Sequence, residues 1–205
     1  MPADIDESPM ENELPIDYCK RIANEKAIAT LKIFPHENIP IIAADTTVYL
    51  GSEIIGKPRD AAHAREILGK LSGRSHHVCT ALVLCSKHTD QKSEIRMIST
   101  LCDTLVHMNP LSEKTIQDYV ATGDPMGKAG AYAIQNRSFN LIHSIQGCYS
   151  CVVGFPLCHL ERLFSIHGIP LKMDAAACCK AHISNDCKIN KDSLLQESVF
   201  SQKYL

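Results

Sequence analysis

The stretch that most constrains this chain is Ile41–Pro58, with the sequence IIAADTTVYLGSEIIGKP. Its apolar start ends abruptly at an acid, Asp45, and the turn signal Gly51-Ser52 separates it from a second apolar piece that leads to Lys57. We interpret the stretch as a buried strand, a tight turn and a returning strand that delivers a lysine. This hairpin would bring one acid and one base together where a core strand reaches the surface.

Asp45 and Lys57 have two interpretations. An ionised carboxylate at the end of a core strand is costly unless it is solvated, paired or bound to a metal. An acid and a base on a rigid hairpin therefore suit a substrate that combines a metal ion with phosphates. The alternative is an edge aspartate and a surface lysine without a chemical role, and a single short motif leaves both interpretations open.

The size and charge of the chain exclude several classes of protein. Its 205 residues are enough for one sizeable domain, and 21 Lys and Arg against 23 Asp and Glu argue against a broad nucleic-acid interface. The longest apolar run, around Cys79–Cys85, is too short to span a bilayer. The acidic N-terminus, MPADIDESPMENE, does not resemble a secretory signal. We therefore expect a cytoplasmic protein with no nucleic-acid or membrane partner.

The ten cysteines allow either a set of reduced thiols or a metal site. Their scatter over a chain rich in core-forming residues, without an export signal, favours reduced thiols. Cys148 and Cys151 form a C-x-x-C motif. A later group could complete a zinc site, namely Cys178, Cys179, His182 and Cys187. This group lacks a second regular spacing, so zinc is the weaker interpretation.

The rest of the chain alternates helical and strand patterns, which predicts an α/β fold. Helices are predicted over Asn12–Leu31, Asp60–Leu71, the segment from Ser112 to Gly123, and Leu157–His167. Further strands are predicted over His77–Ser86, Glu94–Met108 and Phe139–Ile145. Beyond Pro170 the periodicity decays, so residues 171–205 are expected to form a loosely ordered tail with one short helix.

Two other parts of the chain offer candidate ligand-binding side chains. In Thr122–Gln135, small and turn residues surround Lys128, so the backbone there can approach a ligand closely. The amide of Gln135 can donate and accept at once, which suits a uracil-like base edge. The alternative is a glycine-rich surface loop followed by a strand. Lys26 lies on the small apolar face of the first helix, where it either extends to the rim or points into a site.

Five motifs occur in a characteristic order along the chain. They are AADTTV at 43–48, GKP at 56–58, LSGRSHHVCTAL at 71–82, TGDPMGKAGAYAIQ at 122–135 and GCYSCVVGFPL at 147–157. Together they resemble the Maf family of nucleoside triphosphate pyrophosphatases, also called septum formation inhibitors, and the match makes residues 1–170 one domain. The resemblance implies an α/β fold, with an elongated mixed β-sheet flanked by helices and a cleft between two lobes.

The resemblance also implies an activity. Maf proteins hydrolyse a nucleoside triphosphate to a monophosphate and pyrophosphate with a divalent cation, Mg²⁺ or Mn²⁺, and are usually homodimers. The expected role is house-cleaning of nucleotide pools, with a link to cell-division arrest. Asp45 matches the acid assigned as proton acceptor, Glu7 matches a site carboxylate that would share the cation, and Lys26 and Lys57 match site lysines. Whether Asp45 deprotonates the water or holds the metal stays open.

Two further matches concern the choice of base. Thr46 and Gln135 match positions that the family associates with base selection. A Thr after the Asp and a Gln in the later block resemble the branch that acts on dTTP and UTP. The branch that acts on 7-methyl-GTP typically carries Gln and Glu at these positions, so we expect a pyrimidine substrate.

One departure from the family pattern concerns the N-terminus. The family usually opens with an apolar strand and a Ser-x-Arg-Arg loop that holds phosphates, whereas this sequence begins near the Asp4-x-x-Glu7 segment. Arginine forks hold phosphates better than lysine point charges do, so we expect a weakened enzyme with an uncovered sheet edge. The alternative is a catalytically impaired nucleotide-binding or regulatory protein that keeps the fold.

Overall fold

The computed structural model describes residues 5–34, 39–87, 95–172, 174–183 and 200–204. The helices are Pro15–Ile33 (α1), Ala61–Leu71 (α2), Glu113–Ala121 (α3), Tyr149–Val153 (α4), Leu157–His167 (α5) and Ala175–Ile183 (α6). The strands are Ile41–Leu50 (β1), Glu53–Ile55 (β2), Ser75–Lys87 (β3), Ile95–Met108 (β4), Ile142–Gln146 (β5) and Phe200–Tyr204 (β6). A short 3₁₀ turn occupies Ala129–Ala131.

One sheet forms the centre of the fold. Its strand order is β2-β1-β3-β4-β5, and β6 also pairs with β4. The predicted α/β fold with a sheet flanked by helices is confirmed. The expectation of a mixed sheet is not met within the described residues, where all five pairings are antiparallel. The physical reason lies in the connections. The turn at Gly51-Ser52 reverses the chain directly into β2, and α2 then returns it to the end of β1, so that β3 starts beside Tyr49 and runs back along β1.

The two faces of the sheet carry different helices, because successive side chains of a strand point to opposite sides. Helix α1 packs on one face through three small residues that are fully buried, Cys19, Ala23 and Ala27. The other face packs against α2 and α3 at one end and against α5 at the other. As neighbours in β1, Asp45 and Thr46 therefore face opposite sides of the sheet.

Local signals explain where the helices begin. Asp60 accepts a hydrogen bond from the His63 backbone amide at 2.8 Å and caps α2, as the sequence predicted. Ser112 caps α3 by accepting from the Thr115 amide at 3.0 Å. Pro15 occupies the first turn of α1, where its missing N–H costs no helical hydrogen bond.

The segment that leads to Gln135 forms turns, and the strand that the sequence offered as an alternative there is not formed. The reason is local, because Gly130 and Ala131 have φ angles of 73° and 57°, which extended chain does not adopt. A Cβ on Gly130 would come within 3.1 Å of the Val48 side chain, so this glycine is also required for packing. The C-terminal segment, residues 171–205, contains the one helix that was expected, α6, and also the strand β6, which was not expected. The boundary between this segment and the domain before it stays a prediction.

His76 and His77 lie on opposite faces of β3. The His76 side chain is buried, with Nε2 2.7 Å from the hydroxyl of Tyr132. Burial, together with the nearby His77 and His107, lowers the pKa of His76 to about 4. His77 instead stacks on Tyr49, with ring centroids 4.9 Å apart. His76 is therefore a neutral structural residue.

Substitution of His76 by Gln should weaken the acid sensitivity of the fold. The unfolded chain takes up a proton near pH 6.5 and the folded one near pH 4, so stability is lost as the pH falls through this window. His76→Gln keeps a partner for Tyr132 but does not titrate. Between pH 7 and pH 4, the free energy of unfolding should fall for both proteins. The fall should be about 3 kcal/mol smaller for His76→Gln than for the wild type. Urea titrations at each pH measure this, and His143→Gln, on an exposed residue of β5, should keep the wild-type dependence.

Candidate active site

Four of the predicted site residues form one continuous chain of ion pairs. The ammonium of Lys26 lies 2.7 Å from Oδ1 of Asp45 and 2.8 Å from Oε1 of Glu7. The ammonium of Lys57 lies 3.0 Å from the other carboxylate oxygen of Glu7. Two acids and two bases that are far apart in sequence therefore alternate in space.

Each member of this chain comes from a different element. Lys26 projects from the middle of α1, Asp45 lies in β1, and Lys57 follows the end of β2. Glu7 lies in the segment before α1, where its carbonyl accepts a hydrogen bond from the hydroxyl of Tyr18 at 2.8 Å. This contact ties the segment to α1 and holds the Glu7 carboxylate next to both lysines.

The ion pairs determine the charge states of the site. Burial disfavours the charged form of Glu7, but hydrogen bonds from Lys26 and Lys57 outweigh it and leave the pKa of Glu7 below its usual value. Burial likewise opposes the charged form of Lys26, but Asp45 and Glu7 outweigh it and raise the pKa of Lys26. The hydroxyl of Thr47 donates to Oδ2 of Asp45 at 3.1 Å. Near neutral pH, Glu7 is therefore negative and Lys26 positive.

Strand β2 is short, and this leaves the edge of β1 open beside Asp45. It pairs only with Val48–Leu50, so within the described residues no strand covers that edge at Asp45 and Thr46. Two cavities adjoin this edge, with volumes of about 560 Å³ and 310 Å³. Asp45, Thr46 and Lys57 line both cavities and stand at their junction.

The larger cavity contains basic groups that the sequence motifs did not identify. Arg59, His63 and Lys70 line it together with Glu7 and Lys57. Lys70 forms an ion pair with Glu53, which also lines this cavity. A usable signal was present in the sequence, because residues spaced by three, four and seven positions along α2 share one helix face. That face carries His63, Glu66, Ile67 and Lys70 into the cavity.

The smaller cavity contains the residues predicted to contact the base. These residues, Thr46 and Gln135, line it together with Lys128, and its apolar lining includes Val48, Val78, Ile134 and Val152. Gln135 is exposed in a turn, whereas the ammonium of Lys128 lies 3.1 Å from Oδ1 of Asp124. A compartment with apolar walls and a few hydrogen-bonding groups suits a flat heterocycle.

Glu7 and Asp45 have the donor chemistry that a divalent cation requires. Mg²⁺ is commonly bound through one or two carboxylates together with substrate phosphates and water. The described part of the chain holds no cluster of three or more His, Cys, Asp or Glu side chains suited to a metal. For the zinc alternative, Cys148 and Cys151 are buried against Cys102. Cys187 and the His182 side chain lie outside the described residues, so the zinc interpretation gains no support.

The sequence matches the family described as Maf-like protein over residues 1–166. This chain belongs to the Maf family. A Maf relative from Shewanella sp. (strain MR-7), named dTTP/UTP pyrophosphatase, is 45% identical over 167 residues, which cover 81% of this chain and 82% of the relative. A relative with the same name from Sphingopyxis alaskensis is 44% identical, over 82% of this chain and 84% of its own length. Another from Ruegeria sp. (strain TM1040) is 42% identical, over 86% of this chain and 86% of its own length.

The family assignment thus confirms the resemblance that the five motifs indicated. Among the described residues of this Maf protein, no helix is both long and apolar enough to cross a membrane. The structure brings Glu7, Lys26, Asp45 and Lys57 together at one edge and places Thr46 and Gln135 in the adjoining cavity.

Removal of the Lys26 ammonium should destabilise the fold at neutral pH. Lys26→Met leaves the buried carboxylate of Asp45 without its cation, which should lower the free energy of unfolding by about 1–3 kcal/mol. The loss should shrink in acid. The folded pKa of Glu7 is depressed, so its pairing stabilises the fold fully above the unfolded pKa of a glutamate, and this stabilisation is lost as the pH falls through the folded pKa. Urea unfolding at pH 7 and pH 3 measures both effects. Lys32→Met, on an exposed residue of the same helix, should change little.

Proposed function

We propose that this Maf protein is a nucleoside triphosphate pyrophosphatase that hydrolyses dTTP, UTP or related nucleotides to the monophosphate and pyrophosphate. The observation that carries the proposal is the ion-paired edge of β1, where Asp45 stands between a cavity rich in charged groups and a cavity with apolar walls. A nucleotide has the same division into a charged phosphate chain and a flat base. The competing class, a binding protein without turnover, is not favoured by the names of the relatives.

The larger cavity would hold the phosphates. Lys57 is half exposed at its mouth, and Arg59 lines the same space, so both can meet phosphate oxygens. Arginine adds a planar fork that can bind two oxygens at once. These cations stabilise the charge that develops on the departing pyrophosphate.

Asp45 would act as the general base. In the reaction, a water oxygen bonds to the α-phosphorus, the bond to the bridging oxygen of the pyrophosphate breaks, and the proton of the water goes to a carboxylate oxygen of Asp45. Thr47 and Lys26 hold this carboxylate in one orientation through both of its oxygens. The carboxylate is therefore positioned before the substrate binds, which lowers the reorganisation needed for proton transfer.

Glu7 and Asp45 would also hold the divalent cation. Such an ion, Mg²⁺ or Mn²⁺, supplies charge neutralisation of the phosphates and a lower pKa for bound water. The ammonium of Lys26 holds the carboxylates of Glu7 and Asp45 next to each other. The same two carboxylates would therefore be available to bind Mg²⁺ or Mn²⁺.

The smaller cavity would select the base. Gln135 and Thr46 both line it, and an amide that donates and accepts can pair with the edge of a uracil or thymine. Lys128, tethered to Asp124, would contribute a positive charge at the rim. The apolar walls formed by Val48, Val78 and Val152 would contact the ring faces.

We further propose a cytoplasmic homodimer that removes unwanted nucleotides from the cellular pool. The thiol chemistry supports the location, because none of the nine described cysteines forms a disulfide and eight of them are buried. Thiols in this state are typical of a reducing compartment. The homodimer follows from the family resemblance alone.

Asp45→Asn should greatly slow turnover while the protein stays folded. The amide keeps the shape of the side chain but does not accept the proton, so pyrophosphate release from UTP with Mg²⁺ or Mn²⁺ should fall by a factor of about 10²–10⁴. Asp103→Asn, on the same face of the sheet but outside both cavities, is the matched control and should keep the wild-type rate. Pyrophosphate release by Asp45→Asn at the wild-type rate would remove Asp45 from the mechanism. Wild-type protein that binds UTP without turnover would support the competing class.

A panel of dTTP, UTP, CTP and 7-methyl-GTP at equal concentrations tests the choice of base. A buried polar group left unpaired costs about 1–3 kcal/mol, so dTTP and UTP should be hydrolysed roughly 5- to 150-fold more efficiently than the others. Pyrophosphate release under kcat/KM conditions measures this ratio. If 7-methyl-GTP were the fastest substrate, the assignment to the dTTP/UTP branch would be wrong.

A further inference from the structure

The Thr46 hydroxyl at the edge of the smaller cavity is hydrogen-bonded to a second threonine below it. Thr46 and Thr80 are paired residues of β1 and β3, and their hydroxyl oxygens lie 3.0 Å apart. The Thr80 hydroxyl also lies 2.8 Å from the carbonyl oxygen of Cys151, and Thr80 is fully buried. A chain of two hydrogen bonds therefore runs from the cavity to the backbone of α4.

The direction of this hydrogen-bond chain is determined by its last member. A carbonyl oxygen only accepts, and a threonine hydroxyl has a single proton to donate. Thr80 therefore donates its proton to Cys151, so Thr46 must donate to Thr80. The Thr46 oxygen then has no proton left for a ligand, and it faces the cavity as an acceptor only.

The backbone around α4 holds this arrangement in place. The Cys151 carbonyl also accepts from the Gly154 amide at 2.9 Å, which uses its second lone pair. Gly154 ends α4 with a φ angle of 107°, and a Cβ at this position would lie 3.1 Å from the Thr46 hydroxyl oxygen. The backbone thus passes close to the Thr46 oxygen and leaves little room for another rotamer.

We propose that Thr80 is a positioning residue that fixes Thr46 as an obligate hydrogen-bond acceptor, so that the cavity admits a pyrimidine whose facing ring nitrogen carries a hydrogen. This inference rests on the proposed function and names the group that sets its base preference. Uracil and thymine present an N3–H, whereas N3 of cytosine carries a lone pair and would oppose the Thr46 oxygen.

Gln135 alone does not explain such a preference. It is exposed, and an amide can present either its oxygen or its nitrogen to the base by rotation. It can therefore pair with uracil or with cytosine. Thr46 lacks this freedom, because its proton is committed to a buried partner. The discrimination between the two bases consequently depends on Thr46 and, through it, on Thr80.

The test is Thr80→Val, which preserves the shape of the side chain and removes the hydroxyl. Without an acceptor in Thr80, the Thr46 hydroxyl is free to donate to N3 of cytosine. The ratio of kcat/KM for CTP to that for UTP should rise about tenfold or more, mainly through a lower KM for CTP, with kcat for UTP within about twofold of the wild type. Thr80→Ser restores the hydroxyl and should restore the wild-type ratio.

Thr100→Val is the matched control. Thr100 is also buried, on the same face of the sheet, and its hydroxyl has no hydrogen-bond partner in the described part of the chain. This variant should leave the CTP to UTP ratio unchanged. An unchanged ratio in folded Thr80→Val, or an equal loss of efficiency with both nucleotides, overturns the proposal, because a purely structural role for Thr80 predicts that result.

Two measurements keep the inference independent of folding and of turnover. If Thr80→Val does not fold, the wild-type protein is tested with N3-methyl-UTP, which lacks the N3–H and should be used at least about tenfold less efficiently than UTP. Equal efficiency overturns the proposal. If the wild-type protein releases no pyrophosphate, the proposed function fails, and the inference is decided by the Kd values of UTP and CTP for the Thr80 variants.

Discussion

The site depends on one half-buried ammonium that lies between two carboxylates. Lys26, from α1, pairs with Asp45 in β1 and with Glu7 in the segment before the helix. The side chain of Asp45 is only 9% exposed, so its charge would be costly without this partner. The same ion pairs fasten α1 to the sheet edge and orient the proposed general base. Structural stability and readiness for catalysis therefore rest on the same contacts.

The short length of β2 leaves open the strand edge at which the proposed substrate would bind. Because β2 pairs with only three residues of β1, the open edge beside Asp45 and Thr46 lies between the two cavities. Strand geometry then sends these two neighbouring side chains to opposite faces. Asp45 meets the charged residues on the side of α1, and Thr46 meets the apolar walls on the other side. Under the proposed function, these two adjacent positions would serve the reaction and the choice of base.

The buried polar network under Thr46 shows how a fold can assign a direction to a hydroxyl group. A threonine on the surface can donate or accept, but the Cys151 carbonyl removes that freedom from Thr80 and, in turn, from Thr46. Such networks are specific because a buried polar group without a partner is costly. The network requires α4 to approach β1 closely, which Gly154 permits.

The sequence by itself determined the elements and the family. Apolar periodicity and capping residues located α1, α2, α3, α5 and the strands β1 to β5, because these signals are local. Ordered motifs carried the resemblance to Maf proteins. The turn before Gln135 and the face of α2 that lines the larger cavity have local causes that the motifs did not reveal, whereas the pairing of β6 with β4 is not a local property. Only the tertiary structure decided that Lys26 lies between Glu7 and Asp45, and that the Thr80 hydroxyl lies within hydrogen-bond distance of the Thr46 hydroxyl. Both arrangements join residues that are distant in sequence, and their geometry exists only after the helices pack on the sheet.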